Sequence, residues 1–423
     1  MPSSEVRTGQ ARRWPARYTL VGLCFSAVFV CYIDRVSISV AVIAMQAQFG
    51  WSETIKGLVL SSFFIGYLLF QVPAGYLANR FGGKFVLGAA VIWWSLATMI
   101  TPAAAMTSLV ALVAARVAMG LGEAATFPGS YSLFSQWVPA GERARAVSFL
   151  MSGVPIGTLF ALSVTGWMVV RYGWPSAFYV FGVVGLLWAI VWFAVVSDAP
   201  VHAPATLHRA SPRASVPWRQ LFSSSAVWAL IINHFCSNWA LYVLLAWLPS
   251  YFTSQGLDVA SASLFSAAPW LTMFVMVNVV AWGADRMVRQ GRSLTLVRKS
   301  MQTIGLVGSA GFLLLAPGAQ SATTALLIMC GALGTLGFTW SGFAPNHLDI
   351  APHHADVLMG VTNTAGTLPG VIGVLITGWL VDVSGTYASA FVLAAAINVG
   401  GALVWLAFSK ARPIVELDGS AAA

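Results

Sequence analysis

The sequence predicts an all-α membrane protein, with twelve transmembrane helices in two pseudo-symmetric six-helix bundles. Three observations predict it. Residues of the AVILMFWYC set make up 58% of the 423 residues while Asp, Glu, Lys and Arg make up 8%, and mean hydropathy is +0.80. A soluble domain carries about 25% charged residues, so this chain cannot wet the surface of a globule. The apolar residues fall into twelve runs near the length of about 20 residues that a bilayer requires. A proline-rich stretch then divides those runs six and six. Soluble enzymes, disordered tails and disulfide scaffolds are excluded on composition.

A tail at 1–17 carries Arg7, Arg12, Arg13 and Arg17 ahead of the first run, 18–43, which is too long for the apolar region of a cleaved signal peptide. The next five runs are 56–78, 84–102, 106–133, 145–169 and 175–197. The first bundle therefore covers 18–197, and a linker follows at 198–222, with four prolines in DAPVHAPATLHRASPRASVPWR. The second bundle, 223–409, contains runs 223–252, 260–283, 297–316, 322–346, 356–381 and 386–409, and a tail at 410–423 closes the chain. Each run is expected to be a helix, because lipid offers backbone N–H and C=O groups no partner. None shows the ten-residue alternation of a membrane barrel.

Charge orients the set. Of the 22 Lys and Arg, eighteen fall on the side of the tails and linker, Lys56 and Arg171 on the other, and Arg35 and Arg116 inside runs. By the positive-inside rule, both termini are expected in the cytoplasm, the chain crossing the cell's inner (plasma) membrane. The net charge of +9 is then topological, and no basic surface remains for nucleic acid. Cys24, Cys31, Cys236 and Cys330 lie in apolar runs without metal or pairing spacing and read as small buried hydrophobes. His353 and His354 have no third ligand at a sensible spacing and read as solvated loop residues, so neither a metal nor a cofactor is expected. No nucleotide-binding loop, nucleophile elbow or zincin helix is present, and the chain is not expected to be an enzyme.

The halves echo one another. Ala78-Asn79-Arg80 after the second run matches Ala284-Asp285-Arg286 after the eighth, each followed by glycine and further basic residues. Such a repeat predicts two bundles related by an axis along the membrane normal, an arrangement suited to rocking.

Four ionisable residues stand inside runs: Asp34 and Arg35 in the first, Arg116 and Glu123 in the fourth. Such residues default to function. Arg116 and Glu123, seven apart, share a helix face about 10 Å apart, and Arg35 and Arg116 fall at similar depth. Two guanidiniums there can hold a carboxylate or phosphate through bidentate hydrogen bonds. Asp34 and Arg35 point about 100° apart, so at least one needs a partner on another helix or in water. Carboxyls at such depth can exchange protons near neutrality, and protonating Glu123 or Asp34 would free an arginine for the anion. The plainer alternative is a static cluster gluing the first and fourth helices. Tyr32, Tyr67, Gln71, Tyr131, Asn238, Tyr242, Asn278, Asn346, Asn363 and Thr367 either line the same cavity or hold helices together. The glycines of GLGEAATFPG, SGVPIG and GTLPG are expected to let helices approach or bend.

At these residues a resemblance becomes specific. GYLANRFGGK is similar to the loop signature of the major facilitator superfamily, with Asn79 where the family has an acid and Asp285 keeping it in the second copy. YIDRVSISVA, SSFFIGYLLFQVPAGYLANRFGGK, GLGEAATFPG and SGFAPNHLDIAPHHADVLMGVTNTAGTLPG together resemble its anion:cation symporter family, across about residues 18–409. That family includes sialin, the vesicular glutamate and sodium–phosphate transporters and bacterial sugar-acid proton symporters. The resemblance implies an anion site at Arg35, with Tyr32, Tyr67 and Asn363 touching the substrate and Arg116 and Glu123 as a charged pair. It also implies proton coupling at Asp34 and Glu123, and gating loops at Arg80, Asp285 and Arg286. Leu60, Ser237 and Met119 replace residues that recognise glutamate or sialic acid in relatives, so neither substrate is expected. The expected function is proton-coupled symport of a small organic anion, a sugar acid or other hydroxylated monocarboxylate, by a monomer in a lipid bilayer, with sodium as the other candidate ion. A proton-coupled exporter and a non-transporting membrane sensor are the competing readings.

Overall fold

The computed structural model describes residues 16–197, 216–352 and 354–414. The first fifteen residues, most of the linker, His353 and the end of the C-terminal tail lie outside that set.

Seven helices form the first half: α1 (Ala16–Phe49), α2 (Glu53–Phe81), α3 (Gly83–Thr107), α4 (Leu109–Glu123), α5 (Thr126–Trp137), α6 (Ala140–Tyr172) and α7 (Pro175–Val195). A short helix α8 (Trp218–Ser223) lies inside the stretch read as linker. The second half comprises α9 (Ser225–Ser254), α10 (Val259–Arg289), α11 (Leu294–Leu315), α12 (Ala322–Leu336), α13 (Thr339–Ile350), α14 (Ala355–Ser384) and α15 (Ala388–Phe408). Among the described residues, twelve helical segments are long and apolar enough to cross a membrane, because α4 with α5, and α12 with α13, each make one broken span.

Those two breaks differ from the unbroken runs that hydropathy predicts, and both occur where small residues crowd. Ala124 and Ala125 separate α4 from α5 just after Gly120 and Gly122 and before Pro128; Gly337 and Phe338 separate α12 from α13. Proline and glycine lower the cost of interrupting a ladder, and neighbouring helices satisfy the freed groups.

The two halves repeat one packing scheme. In the first, α1 packs on α6, α2 on α4 and α3 on α7; in the second, α9 packs on α14, α10 on α12 and α11 on α15. In order of membrane crossing these are pairs 1–5, 2–4 and 3–6, then 7–11, 8–10 and 9–12. The halves meet through α2 on α14 and α6 on α10, two seams that exchange under the same operation. The repeat expected from Arg80 and Arg286 is therefore present in the packing. The residues themselves differ from their predicted setting, being exposed side chains in the last turns of α2 and α10. The positive φ of Gly82 confines the connection after Arg80 to one residue, so the motif stays helical.

The seams close at the end remote from the linker. Asp382 of α14 accepts hydrogen bonds from the Glu53 amide at 2.8 Å, the Thr54 amide at 2.7 Å and the Thr54 hydroxyl. A carboxylate there satisfies orphan donors and complements the positive end of the α2 dipole. Gly57 and Gly378 let the two backbones meet, since a Cβ on Gly57 would press on the Val374 carbonyl and one on Gly378 would overlap that of Glu53. At the second seam the Ser263 hydroxyl of α10 donates to the Leu162 carbonyl of α6. Nearby, Asp258 caps α10 by accepting from the Ala260 and Ser261 amides and the Ser261 hydroxyl, which hold its carboxyl below the usual range.

Lys56, read from sequence as an outer-loop cation, is instead a buried residue of α2. Its ammonium donates to Gln46 Oε1 at 2.9 Å, pairs with Glu53 at 3.1 Å and sits over the Trp247 ring of α9. Toward the linker the same two helices lose cover: Leu69, Val72 and Tyr76 of α2 and Met359, Gly360 and Thr364 of α14 are exposed.

Replacing Asp382 removes several charge-assisted bonds across one seam, each contributing about 1.5–3 kcal/mol. Asp382→Ala is expected to populate a state open at the far end. Spin labels at Ser108 and Gln255 should then show a longer-distance population that is minor in the unmodified protein.

Candidate functional site

Arg35 lies in the middle of α1 and is 6% exposed. Its Nε donates to Glu123 Oε2 of α4 at 2.9 Å, and Nη2 lies at 2.9 Å from the same oxygen. Three rings wall the guanidinium, with centroids 4.6 Å away at Tyr32, 4.7 Å at Phe63 and 4.9 Å at Tyr67. Its Nη1 also reaches the Tyr32 hydroxyl at 3.4 Å. The Cys31 thiol, one turn earlier, donates to Glu123 Oε2 at 3.1 Å. The expectation that Cys31 is merely a small hydrophobe is corrected here: the Cys31–Arg35 turn presents two donors to one carboxylate oxygen. The other, Oε1, is buried without a partner.

Asp34 turns to a different neighbour, as the 100° step demands. Its Oδ2 accepts from Trp94 Nε1 of α3 at 3.1 Å, and Oδ1 is buried without a partner. No cation among the described residues pairs with it within 4.0 Å.

Arg116 is fully buried on α4. Its Nη1 lies 2.9 Å from Met119 Sδ, its guanidinium sits 5.5 Å from the Phe63 ring, and its Nε has no partner. Phe63 is thus shared by both guanidiniums. Among the described residues Arg116 has no ion pair within 4.0 Å, so Glu123 serves Arg35 rather than the arginine on its own helix. Arg35 and Arg116 line one small pocket with Ser39, Leu60, Phe63, Phe64 and Tyr242, of about 20 Å³. That holds about one water, so an organic anion requires side chains to move.

This geometry depends on close approach of α2 and α4. A Cβ on Gly66 would overlap the Val117 carbonyl, and one on Gly120 would overlap that of Phe63. Glycine at both places lets the α4 backbone reach α2, which sets Arg116 and Glu123 against the Phe63–Tyr67 face. Gly157 does the same for α6 against Tyr32. The glycine expectation for GLGEAATFPG and SGVPIG agrees with this packing.

The structure thus brings Arg35, Glu123, Tyr32, Tyr67 and Arg116 together. Asn363 is half-buried on α14 and is not among the residues lining the pocket. Arg80 bonds the Tyr76 hydroxyl at 3.4 Å, and Arg286 lies over Trp282; with Asp285 they belong to helix ends rather than loops. His354, expected to be solvated, is buried. Leu60 and Met119 lie at the pocket or against its arginine, whereas Ser237 is bound by Gln302 at 3.0 Å. Sequence reasoning missed Phe63, Phe64, Trp94 and Cys31, because an aromatic or thiol in a membrane helix carries no signal until its neighbour across the bundle is known.

Residues 24–374 match the model of the Major Facilitator Superfamily. The chain is 40% identical to sodium-dependent phosphate transport protein 1, chloroplastic, of Arabidopsis thaliana, covering 95% of this chain and 81% of that protein. It is 39% identical to the Arabidopsis chloroplastic ascorbate transporter, covering 96% and 77%, and 35% identical to sialin of Ovis aries, covering 93% and 89%. Its fold matches a bacterial homolog of the human lysosomal transporter Spinster, crystallised inward-facing and occupied, with a TM-score of 0.79 at 17% identity over 94% of this chain and 98% of that one. The chain belongs to the major facilitator superfamily, within the anion:cation symporter family that its motifs resemble.

Removing one partner of a buried ion pair costs about 3–5 kcal/mol, because the other charge is left uncompensated. Arg35→Ala is expected to lower thermal stability in detergent by an amount of that order, and adding Glu123→Gln should recover much of it. Strictly additive losses in thermal unfolding would mean that the two side chains are not coupled.

Proposed function

We propose that this major facilitator protein carries a small organic anion across its membrane by alternating access, in symport with protons, and that Arg35 holds the anion. The carrying observation is a guanidinium sunk between tyrosine rings and neutralised by a carboxylate that pairs with no other cation among the described residues. With Glu123 ionised, the pair is neutral and Arg35 has no charge to spare. With Glu123 protonated, the guanidinium is uncompensated in a low-dielectric site until an anion arrives. Empty and fully loaded states are both neutral; the half-loaded states carry a net charge. That penalty couples proton and anion. Rocking of 18–197 against 223–409 then exposes the site alternately, with Asp382 and Thr54 sealing one side.

The substrate class follows from the walls. One guanidinium suits one acid group, and the hydroxyls of Tyr32, Tyr67 and Tyr242 suit hydroxyls on the solute, which supports a sugar acid or other hydroxylated monocarboxylate. Arg116 is a second positive charge for the same pocket, Asn363 a contact from α14, and Asp34 a second proton acceptor. A phosphate reading is favoured by the 40% identity to a protein named as a sodium-dependent phosphate transporter and by two guanidiniums on one ring. The excess of Lys and Arg on the linker side supports a cytoplasmic position for both termini in a cell's inner membrane.

The test is uptake into proteoliposomes of labelled glucuronate, ascorbate, phosphate and glutamate under imposed pH, sodium and voltage gradients. Accumulation of a hydroxylated monocarboxylate driven by an inward proton gradient is expected. Glu123→Gln should keep anion exchange but lose proton-driven accumulation. Adding Arg35→Ala should then cut exchange by at least ~30-fold, the loss of a buried charged contact. Unchanged pH-driven uptake in Glu123→Gln would remove that residue from coupling. Sodium-driven uptake without a pH response would refute proton coupling, phosphate alone would overturn the substrate class, and binding without flux would favour a sensor.

A further inference from the structure

The second half holds a buried polar cluster that the anion site does not use. His234 of α9 and His347 of α13 both reach the hydroxyl of Thr362 on α14, from Nδ1 at 3.1 Å and from Nε2 at 2.7 Å. All three are buried, and the rings stand 6.3 Å apart. His347 Nδ1 lies 2.8 Å from the Ala344 carbonyl.

Donor arithmetic orders the chain. A carbonyl only accepts, so His347 Nδ1 carries a hydrogen, and in the neutral ring Nε2 must accept. The Thr362 hydroxyl has one hydrogen. It can go to His347 Nε2 at 2.7 Å or to the Met359 carbonyl at 3.2 Å, and only the first satisfies the imidazole nitrogen. The Thr362 oxygen then accepts from His234 Nδ1. The order is His234 N–H to Thr362 O–H to His347 Nε2, then His347 Nδ1–H to Ala344.

We propose that His234, Thr362 and His347 form a proton-binding site that holds one extra proton on either ring. With the proton at His234 Nε2, both nitrogens of that ring are protonated. Transfer of the Nδ1 proton to the Thr362 oxygen, as Thr362 passes its own proton to His347 Nε2, moves the charge to His347. The hydroxyl hydrogen then points back to His234 Nδ1, and the chain runs in reverse. Between the two rings every donor keeps an acceptor at either end of the exchange, while His234 Nε2 has no hydrogen-bond partner among the described residues.

Surrounding charged groups are engaged elsewhere. Arg298 of α11 pairs with Asp349 of α13 at 2.7 Å, and Lys299 donates to the Leu406 carbonyl of α15 at 2.6 Å. Cys236 of α9 packs on Gly401 of α15, and Asp356 lies six residues before Thr362 on α14. The His234 and His347 rings, 6.3 Å apart, meet at the Thr362 hydroxyl. The position also matters. His234, Asn238 and Tyr242 recur every four residues along one face of α9, so the site lies about 12 Å along the axis from a residue of the Arg35 pocket. Gly366 packs against the His234 ring and its carbonyl accepts from Asn238 at 2.8 Å, which binds α14 to the same face. The site stands independently of whether Glu123 couples transport.

Histidine ring ¹⁵N spectra of the full chain in nanodiscs, assigned with His234→Gln and His347→Gln, test this between pH 4 and 9. His347 is expected as the Nδ1–H tautomer near neutrality, with both rings shifting together at one midpoint as a single proton binds. Thr362→Val should split that into two midpoints about one pH unit apart. Thr362→Ser, which keeps the hydroxyl, should retain the common midpoint and separates loss of the relay from loss of fold. An Nε2–H tautomer at His347, independent titration of the two rings in the unmodified protein, or no titration of either, would overturn the proposal.

Discussion

A guanidinium held away from water has to be neutralised, and among the described residues Glu123 alone does it for Arg35. That pair ties α1 to α4, and the packing around it follows. Glycines at 66 and 120 bring α2 and α4 into backbone contact, Phe63 is set between two guanidiniums, and Cys31 is recruited to the same carboxylate oxygen. A buried ion pair is weak evidence for stability, since apolar packing of the same volume is often as good. Its retention here is better explained by what the alternatives allow: a neutral site with the pair made, or a neutral site with a proton on the acid and an anion on the arginine. The spare oxygen of Glu123 and the unpartnered Nε of Arg116 fit a site built to change partners rather than a finished glue.

The seams serve the same logic. A carrier must close one side firmly enough to hold and loosely enough to reopen. Asp382 capping α2 is a few charge-assisted hydrogen bonds at an exposed helix start, strong together yet separable by rigid rotation. Gly57 and Gly378 keep the contact there backbone-to-backbone.

Much of this was legible in sequence because lipid enforces it. Twelve spans, the division into halves and the repeat at Arg80 and Arg286 follow from run length and from the cost of unpaired backbone. The divergent directions of Asp34 and Arg35 followed from helix geometry alone, whereas the charged pair expected at Arg116 and Glu123 gives way to one between Arg35 and Glu123. Other features were not legible, each for a physical reason. Lys56 read as a loop residue because a cation near a span end is usually solvated, yet Glu53, Gln46 and Trp247 give it a buried setting. The breaks after Glu123 and Leu336 are invisible to hydropathy, which does not register a missing hydrogen bond. Arg80 and Asp285 read as loop residues because glycine and charge cluster there, whereas Gly82 alone makes the turn after Arg80 and α10 continues past Asp285 to Arg289. The partners of Arg116 and Asp34 lie partly on other helices, and no spacing within one helix reports them.

The halves, alike in packing, differ in chemistry. The first half holds two permanent cations, Arg35 and Arg116, with the carboxyls of Glu123 and Asp34, and the second faces them with Tyr242 and, deeper toward the linker side, amides and imidazoles at Asn238, His234 and His347. A permanent guanidinium suits attraction of an anion; groups that can be neutral or cationic suit a response to it. A rocking mechanism needs both, because an anion held by one half must alter the free energy of the other half's approach. The polar face of α9 is placed for that: it begins at His234, ends at the Arg35 pocket through Tyr242, and is bound to α14 through Gly366 and Thr362. Since α14 also carries Asp382 to the α2 cap, one helix joins the imidazole cluster to the seal at the far end. Charge gained near His234 and strain at that seal therefore bear on the same helix, with Pro369 between them.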